Sequence, residues 1–228
     1  MRTRSGQIAA WLLGLALWLG GCPGAPGDDD THGDDDATGD DDATGDDDST
    51  GDDDDLGEAR ALWVTRWDYG DEDDVVTIMN RADAAGFNVV LFQVRGSFDA
   101  FYDSSLEPWA SELSGTLGQD PGWDPLGTAL DEGHARGLEI HAWLNTFPFW
   151  RGSSPPPACQ PTHMFTAHPD WLVVDEWGDP MSLNSSYVFA SPGHPAVRAH
   201  VAAVAADIVT HYAVDGIHLD YIRYPGPE

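Results

Sequence analysis

The sequence predicts an α/β fold with parallel strands, curved toward a barrel rather than open as a sheet. Three observations carry that prediction. From Ala61 onward, short apolar strand-like runs alternate with helix-like runs, a pattern that implies parallel strands joined by right-handed crossovers. The first strand–helix turn, Trp67-Asp68-Tyr69-Gly70-Asp71, has no glycine-rich phosphate cradle, which counts against a dinucleotide fold. The longest irregular stretches follow the second and third strands, where a barrel builds its ligand-binding face.

The elements follow in order. Residues 61–67 read as the first strand. Residues 71–85 read as a helix, with Asp71, Glu72, Asp73 and Asp74 crowding its first turn and Gly86 at its end. Residues 88–94, rich in Val, Leu and Phe, give the second strand. After a loop, Asp124 caps a second helix with Pro125 at its first position and Gly137 past its end. Residues 138–144 form the third strand. Residues 145–193 read as irregular. Pro195 opens a third helix, and Val197, Val201, Val204 and Ile208 mark its buried face at helical spacing. Residues 216–220 form the fourth strand, ending in Asp220.

Side chains alternate across a strand. Gln93 and Arg95 therefore share one face, as do Glu139, His141, Trp143 and Asn145, and again His218 and Asp220. Three strands thus carry polar groups on one face toward their carboxyl ends, where ligands bind in such folds. A shared polar pocket is one reading, and separately hydrogen-bonded core residues are the other. For Asp220 the alternatives are chemistry and capping of the turn that follows. His141, His218 and Asp220 also raise a metal-dependent reading, but they lack a recognisable ligand spacing. Glu139 lies too early on its strand to reach a ligand. The aromatic residues of the long loops, Trp150 among them, suit either sugar stacking or packing of the loops themselves.

The formal net charge of the 228-residue chain is −30. Sixteen aspartates fall within residues 28–55, in six-residue repeats such as Gly-Asp-Asp-Asp-Ala-Thr. That tract has no apolar periodicity and is expected to be a disordered spacer. Its carboxylates could take calcium, but they lack the spacing of a calcium loop. The rest of the chain has 24 acids, 8 arginines and no lysine, which counts against nucleic acid as a partner. Arg2 and Arg4 precede an apolar run over residues 8–19, a signal-peptide pattern that ends Leu19-Gly20-Gly21-Cys22. That ending resembles the lipobox of bacterial lipoproteins, with Cys22 as the acylated residue and a lipid anchor into the membrane. With Pro23 after it, the resemblance points to the outer membrane of a Gram-negative cell envelope. Residues 1–22, 23–56 and 57–228 are then signal peptide, spacer and folded domain. Cys159, the other cysteine, has no partner left and reads as an incidental thiol.

Six ordered motifs carry a wider resemblance: Ala61-Leu62-Trp63-Val64, Asn88 through Gly96, His141-Ala142-Trp143-Leu144-Asn145, His168-Pro169-Asp170-Trp171, Ser191 through Arg198, and Asp215-Gly216-Ile217-His218-Leu219-Asp220-Tyr221. Together they resemble the glycosyl-hydrolase-like 10 family. The resemblance implies a (β/α)8 TIM-barrel fold of which about the first four β/α units are present. It implies a cell-envelope enzyme acting on a glycan, in some relatives peptidoglycan strands stripped of peptide, with no cofactor and no metal. It makes Asp220 the nucleophile or base. Gln93, Arg95, Asn145, His141, His218 and Tyr221 become sugar-binding or orienting groups. Ser191 departs from the family pattern, where many relatives have Asn. The general acid is expected from strands beyond the fourth. A second chain or copy completing the barrel is therefore one expectation, and a non-catalytic glycan-binding or structural lipoprotein is the alternative function.

Overall fold

A computed structural model describes residues 58–226. The signal segment with Cys22 and the aspartate-rich spacer lie outside the described residues. In chain order the elements are β1 (Ala61–Val64), α1 (Glu72–Ala84), β2 (Val89–Arg95), α2 (Ser111–Ser114), α3 (Pro125–His134), β3 (Glu139–Asn145), β4 (Pro148–Gly152), α4 (Met164–Ala167), a 3₁₀ turn (Pro169–Trp171), β5 (Asn184–Phe189), α5 (Pro195–His211) and β6 (Gly216–Asp220). The main sheet runs β1-β2-β3-β6 with every pair parallel. Among the described residues, these four parallel strands and the helices α1, α3 and α5 that connect them are of the barrel type. None of the described helices is long and apolar enough to cross a membrane.

Local chemistry explains the boundaries. β1 stops at Val64, short of the predicted residue 67, because the Thr65 backbone N–H and hydroxyl both donate to Asp68 Oδ2, at 2.7 and 2.8 Å. The Asp71 side chain accepts from the Asp74 N–H and starts α1. Asp124 does the same for Gly127 ahead of α3. These contacts satisfy donors that a helix start leaves unpaired.

The helix-facing side of the sheet is apolar. Phe92, Val94, Ile140 and Leu144 are fully buried with Met79 of α1, Leu126 of α3 and Ile208 of α5. α3 comes so close that a Cβ on Gly133 would sit 2.4 Å from Ile140 Cδ1. Glycine at this position leaves the Ile140 side chain room to pack there.

The opposite side is concave. The Trp63 ring on β1 lies 4.6 Å from both Trp143 on β3 and His218 on β6. In a flat sheet, strands three places apart are about 14 Å apart. Contact between side chains of the first and last strands therefore requires the sheet to curl, as it does in a barrel.

One prediction fails. Residues 145–193 are not irregular throughout, because β4 and β5 pair as an antiparallel ribbon, with Pro148 opposite Phe189. The ribbon sits over a second apolar cluster that includes Phe98, Phe147, Phe149, Trp171 and Val197. Most of the loop aromatics thus pack the loops.

Candidate active site

Register places the concave-face residues in rows. His141 pairs with Gly216, Trp143 with His218, and Asn145 with Asp220. The last row is at the carboxyl-terminal edge of the sheet. His141 is at the opposite end, and its Nε2 lies 3.4 Å from Glu139 Oε2. It folds over its neighbour so tightly that a Cβ on Gly216 would be 2.8 Å from its Nδ1. His141 therefore stands at the far end of the strands from the Asn145–Asp220 row. Among the described residues, no group of three or more His, Cys, Asp or Glu is placed to hold a metal ion.

Three other predicted binding residues form a closed network. Gln93 is 3% exposed, Arg95 0% and Asn145 1%. Gln93 Nε2 donates to Asn145 Oδ1 at 3.0 Å, and its Oε1 accepts the Arg66 N–H. Asn145 Nδ2 donates to the Gly96 carbonyl. Arg95 meets Glu107 in two bonds, Nε to Oε2 at 2.7 Å and Nη2 to Oε1 at 2.6 Å. Its Nη1 donates to the carbonyls of Asn145 and Thr146, and its face lies 4.0 Å from the Phe98 ring centroid. These side chains have no free surface for a sugar. They join the ends of β1, β2 and β3. Burial alone would raise the Glu107 pKa, but Arg95 and a 2.8 Å contact from His200 outweigh it and bring the carboxyl down to about 2.

Asp220 is different. Its side chain is 29% exposed. Oδ1 accepts the Tyr221 N–H at 2.6 Å, and the nearest cation is Arg223, with Nη1 at 3.9 Å. Arg223, not Arg95, is the positive charge beside it. The Asp220 carbonyl accepts the Thr146 N–H at 2.8 Å, which ties the strand end to β3. Tyr221 then turns at φ 50°, a left-handed conformation that non-glycine residues adopt rarely and that is concentrated at functional sites. Its ring lies 5.7 Å from Tyr187 and 6.1 Å from Phe189, with the Arg223 guanidinium 4.4 Å from its centroid. His218 stands one row below, edge-on to Trp63. The rim of the sheet thus combines a partly open carboxylate, a strained turn, an arginine and aromatic walls.

Sequence reasoning missed Arg66, Tyr187 and Arg223 as parts of this region. Only Arg223, three residues after Asp220, was within reach of the strand pattern. The others come from loops and from the unpredicted β5.

A sequence model of the family described as "Glycosyl hydrolase-like 10" matches residues 58–227. The chain belongs to this family. It is 30% identical over 154 residues to glycosyl hydrolase YngK of Bacillus subtilis, covering 68% of this chain and 28% of that protein. It is 33% identical over 152 residues to glycosyl hydrolase DigH of Escherichia coli, covering 62% of this chain and 33% of that protein. The chain thus spans about a third of the length of these relatives. In structure it is similar to a hypothetical protein from Ruminiclostridium thermocellum, with a TM-score of 0.54 at 17% identity over 72% of this chain and 78% of that one. At that identity the likeness speaks for the fold alone.

Proposed function

We propose that this member of the glycosyl hydrolase-like 10 family supplies the first four β/α units of a glycoside hydrolase barrel, with Asp220 as its nucleophile or general base. The observation that supports this most is the position of Asp220. It is a partly exposed carboxylate at the carboxyl end of a barrel strand, followed by a strained Tyr221 and flanked by Arg223. A carboxylate so placed can attack the sugar or activate water in glycoside hydrolysis. His218 and Tyr221 shape the floor and wall beside it. The substrate is a glycan of the cell envelope, with peptidoglycan strands the leading candidate. The lipobox-like sequence ending at Cys22 supports that setting, since a lipid anchor there would tie the domain to the envelope.

Glycoside hydrolysis needs a second carboxyl group to protonate the leaving oxygen. Among the described residues, the groups in contact with the Asp220 carboxylate are the Tyr221 N–H and Arg223. That observation supports, as a second reading, a module that binds glycan without cutting it. Asp220→Asn keeps the shape and removes the charge. In a preparation that degrades a peptide-free glycan strand, it should lower turnover by several orders of magnitude and leave glycan binding largely intact. Turnover that survives the substitution removes Asp220 from the chemistry. Binding without turnover by the unsubstituted protein selects the second reading.

A further inference from the structure

A pocket of about 320 Å³ opens beside the closed network, away from Asp220. Arg66, just past β1, forms one wall. Asp99 in the loop after β2, Glu112 in α2, and Trp150 and Arg151 in β4 form the others. Arg66 is 4% exposed and Asp99 5%. Arg66 Nη2 donates to the Tyr187 hydroxyl. Its Nε is buried without any hydrogen-bond partner, and Glu112 Oε1 stands 3.8 Å away, beyond hydrogen-bond reach. Asp99 Oδ1 accepts the N–H groups of Gly96 and Ser97, at 3.1 and 2.7 Å. Its Oδ2 makes no hydrogen bond among the described residues. Among the described residues, a buried charged donor left without a partner is costly unless something in the pocket meets it.

The fold holds these two groups together. A Cβ on Gly96 would lie 2.9 Å from both Arg66 Nε and Asp99 Oδ1, so glycine is what permits their approach. His163, fully buried, fixes the same loop. Its Nδ1 accepts the Phe165 N–H, which leaves Nε2 to donate to the Ser97 carbonyl at 2.8 Å.

We propose that this pocket is a sugar subsite, distinct from Asp220, that holds one uncharged pyranose ring of the glycan by its hydroxyl groups. The two arginines and two carboxylates balance in sign, so neither an anion nor a cation is favoured by net charge. A hydroxyl donates and accepts at once, which suits a wall that sets an arginine beside a carboxylate. Burial, with Asp99 close by, raises the Glu112 pKa. The Trp150 indole N–H is tied to the Ser154 carbonyl at 2.8 Å, which sets the ring as a platform for the apolar face of a sugar. Arg66 bonds to Tyr187, Tyr187 packs on Tyr221, and Tyr221 follows Asp220. The pocket and the carboxylate therefore mark two ends of one aromatic-lined strip on the same edge of the sheet.

This inference rests on the glycan reading above, and its test separates the two. Binding of neutral tetrasaccharides of glucose, galactose and N-acetylglucosamine to the 228-residue chain is measured by calorimetry, with tetragalacturonate as the charged comparison. Two variants are compared. Ser153→Trp fills the pocket from an exposed position, and Glu112→Gln alters its wall. Thermal unfolding of both shows that they remain folded. A neutral tetrasaccharide should bind, and each variant should weaken it by about tenfold or more. Neutral binding unchanged by both variants overturns the subsite and leaves the glycan reading standing. Preference for tetragalacturonate overturns the uncharged ring. No binding of any tetrasaccharide overturns both readings.

Discussion

Two polar regions lie side by side at the carboxyl-terminal edge of one curved sheet, and they have opposite characters. Above β1, β2 and β3, the Gln93, Arg95, Asn145 and Glu107 side chains are fully or almost fully buried, and their donors are taken up within the protein. At the end of β6, Asp220 is part-exposed, accepts one backbone N–H and has a single loosely placed arginine. The first region keeps strands together, and the second has bonding capacity left for a ligand. Residue type does not distinguish them. A polar residue at a barrel rim is a site only if its partners inside the chain leave part of it unused.

The largest difference should appear in stability. Arg95→Met leaves the Glu107 carboxylate buried without its main partner and should cost about 3–5 kcal/mol. Asp220→Asn keeps the acceptor for the Tyr221 N–H and should change stability by less than about 0.5 kcal/mol. Urea unfolding of both variants checks the contrast. Similar losses in the two would erase the distinction drawn between the regions.

Acid titration sharpens the same contrast. Glu107 has a folded pKa of about 2 against an ordinary 4.5. A lowered carboxylate stabilises the fold above its unfolded pKa and loses that contribution as pH falls through the folded value. The closed region should therefore contribute on the order of 3 kcal/mol at neutral pH, fading between about pH 4.5 and 2. Denaturant unfolding across that window should show the decline, and Glu107→Gln should flatten it.

A smaller effect is expected at the far end of the sheet. Gly216→Ala would press a methyl group against the His141 ring and should cost about 1–3 kcal/mol. Calorimetric melting reads it directly. No loss of stability would mean that His141 can swing away and is free to serve elsewhere.

Much of the fold was legible because its signals are local. Asp71, Asp124 and Pro195 mark helix starts within a few residues of the helices they begin, and Val197, Val201, Val204 and Ile208 share a face by spacing alone. The β4–β5 ribbon was not legible. It opens with Pro148, its two strands are separated by a proline-rich loop, and its pairing is set by packing over Phe149 and Trp171. The same limit applied to the site. Strand alternation placed Gln93, Asn145 and Asp220 on one face. It carried no information that a glutamate twelve residues past Arg95 would fold back and claim the guanidinium. Nor did it show Tyr187 arriving from β5 to meet Arg66.

The most direct test follows the amide protons of the two regions by NMR as a neutral oligosaccharide is added. The Tyr221 backbone N–H points at Asp220, while the side-chain amides of Gln93 and Asn145 point into the closed network. Saturable shifts at Tyr221, with the Gln93 and Asn145 side-chain amides unmoved, are the expected result. Shifts at Gln93 and Asn145 with Tyr221 unchanged would contradict the account, because the buried lattice would then be the ligand-binding surface and Asp220 only the end of a strand.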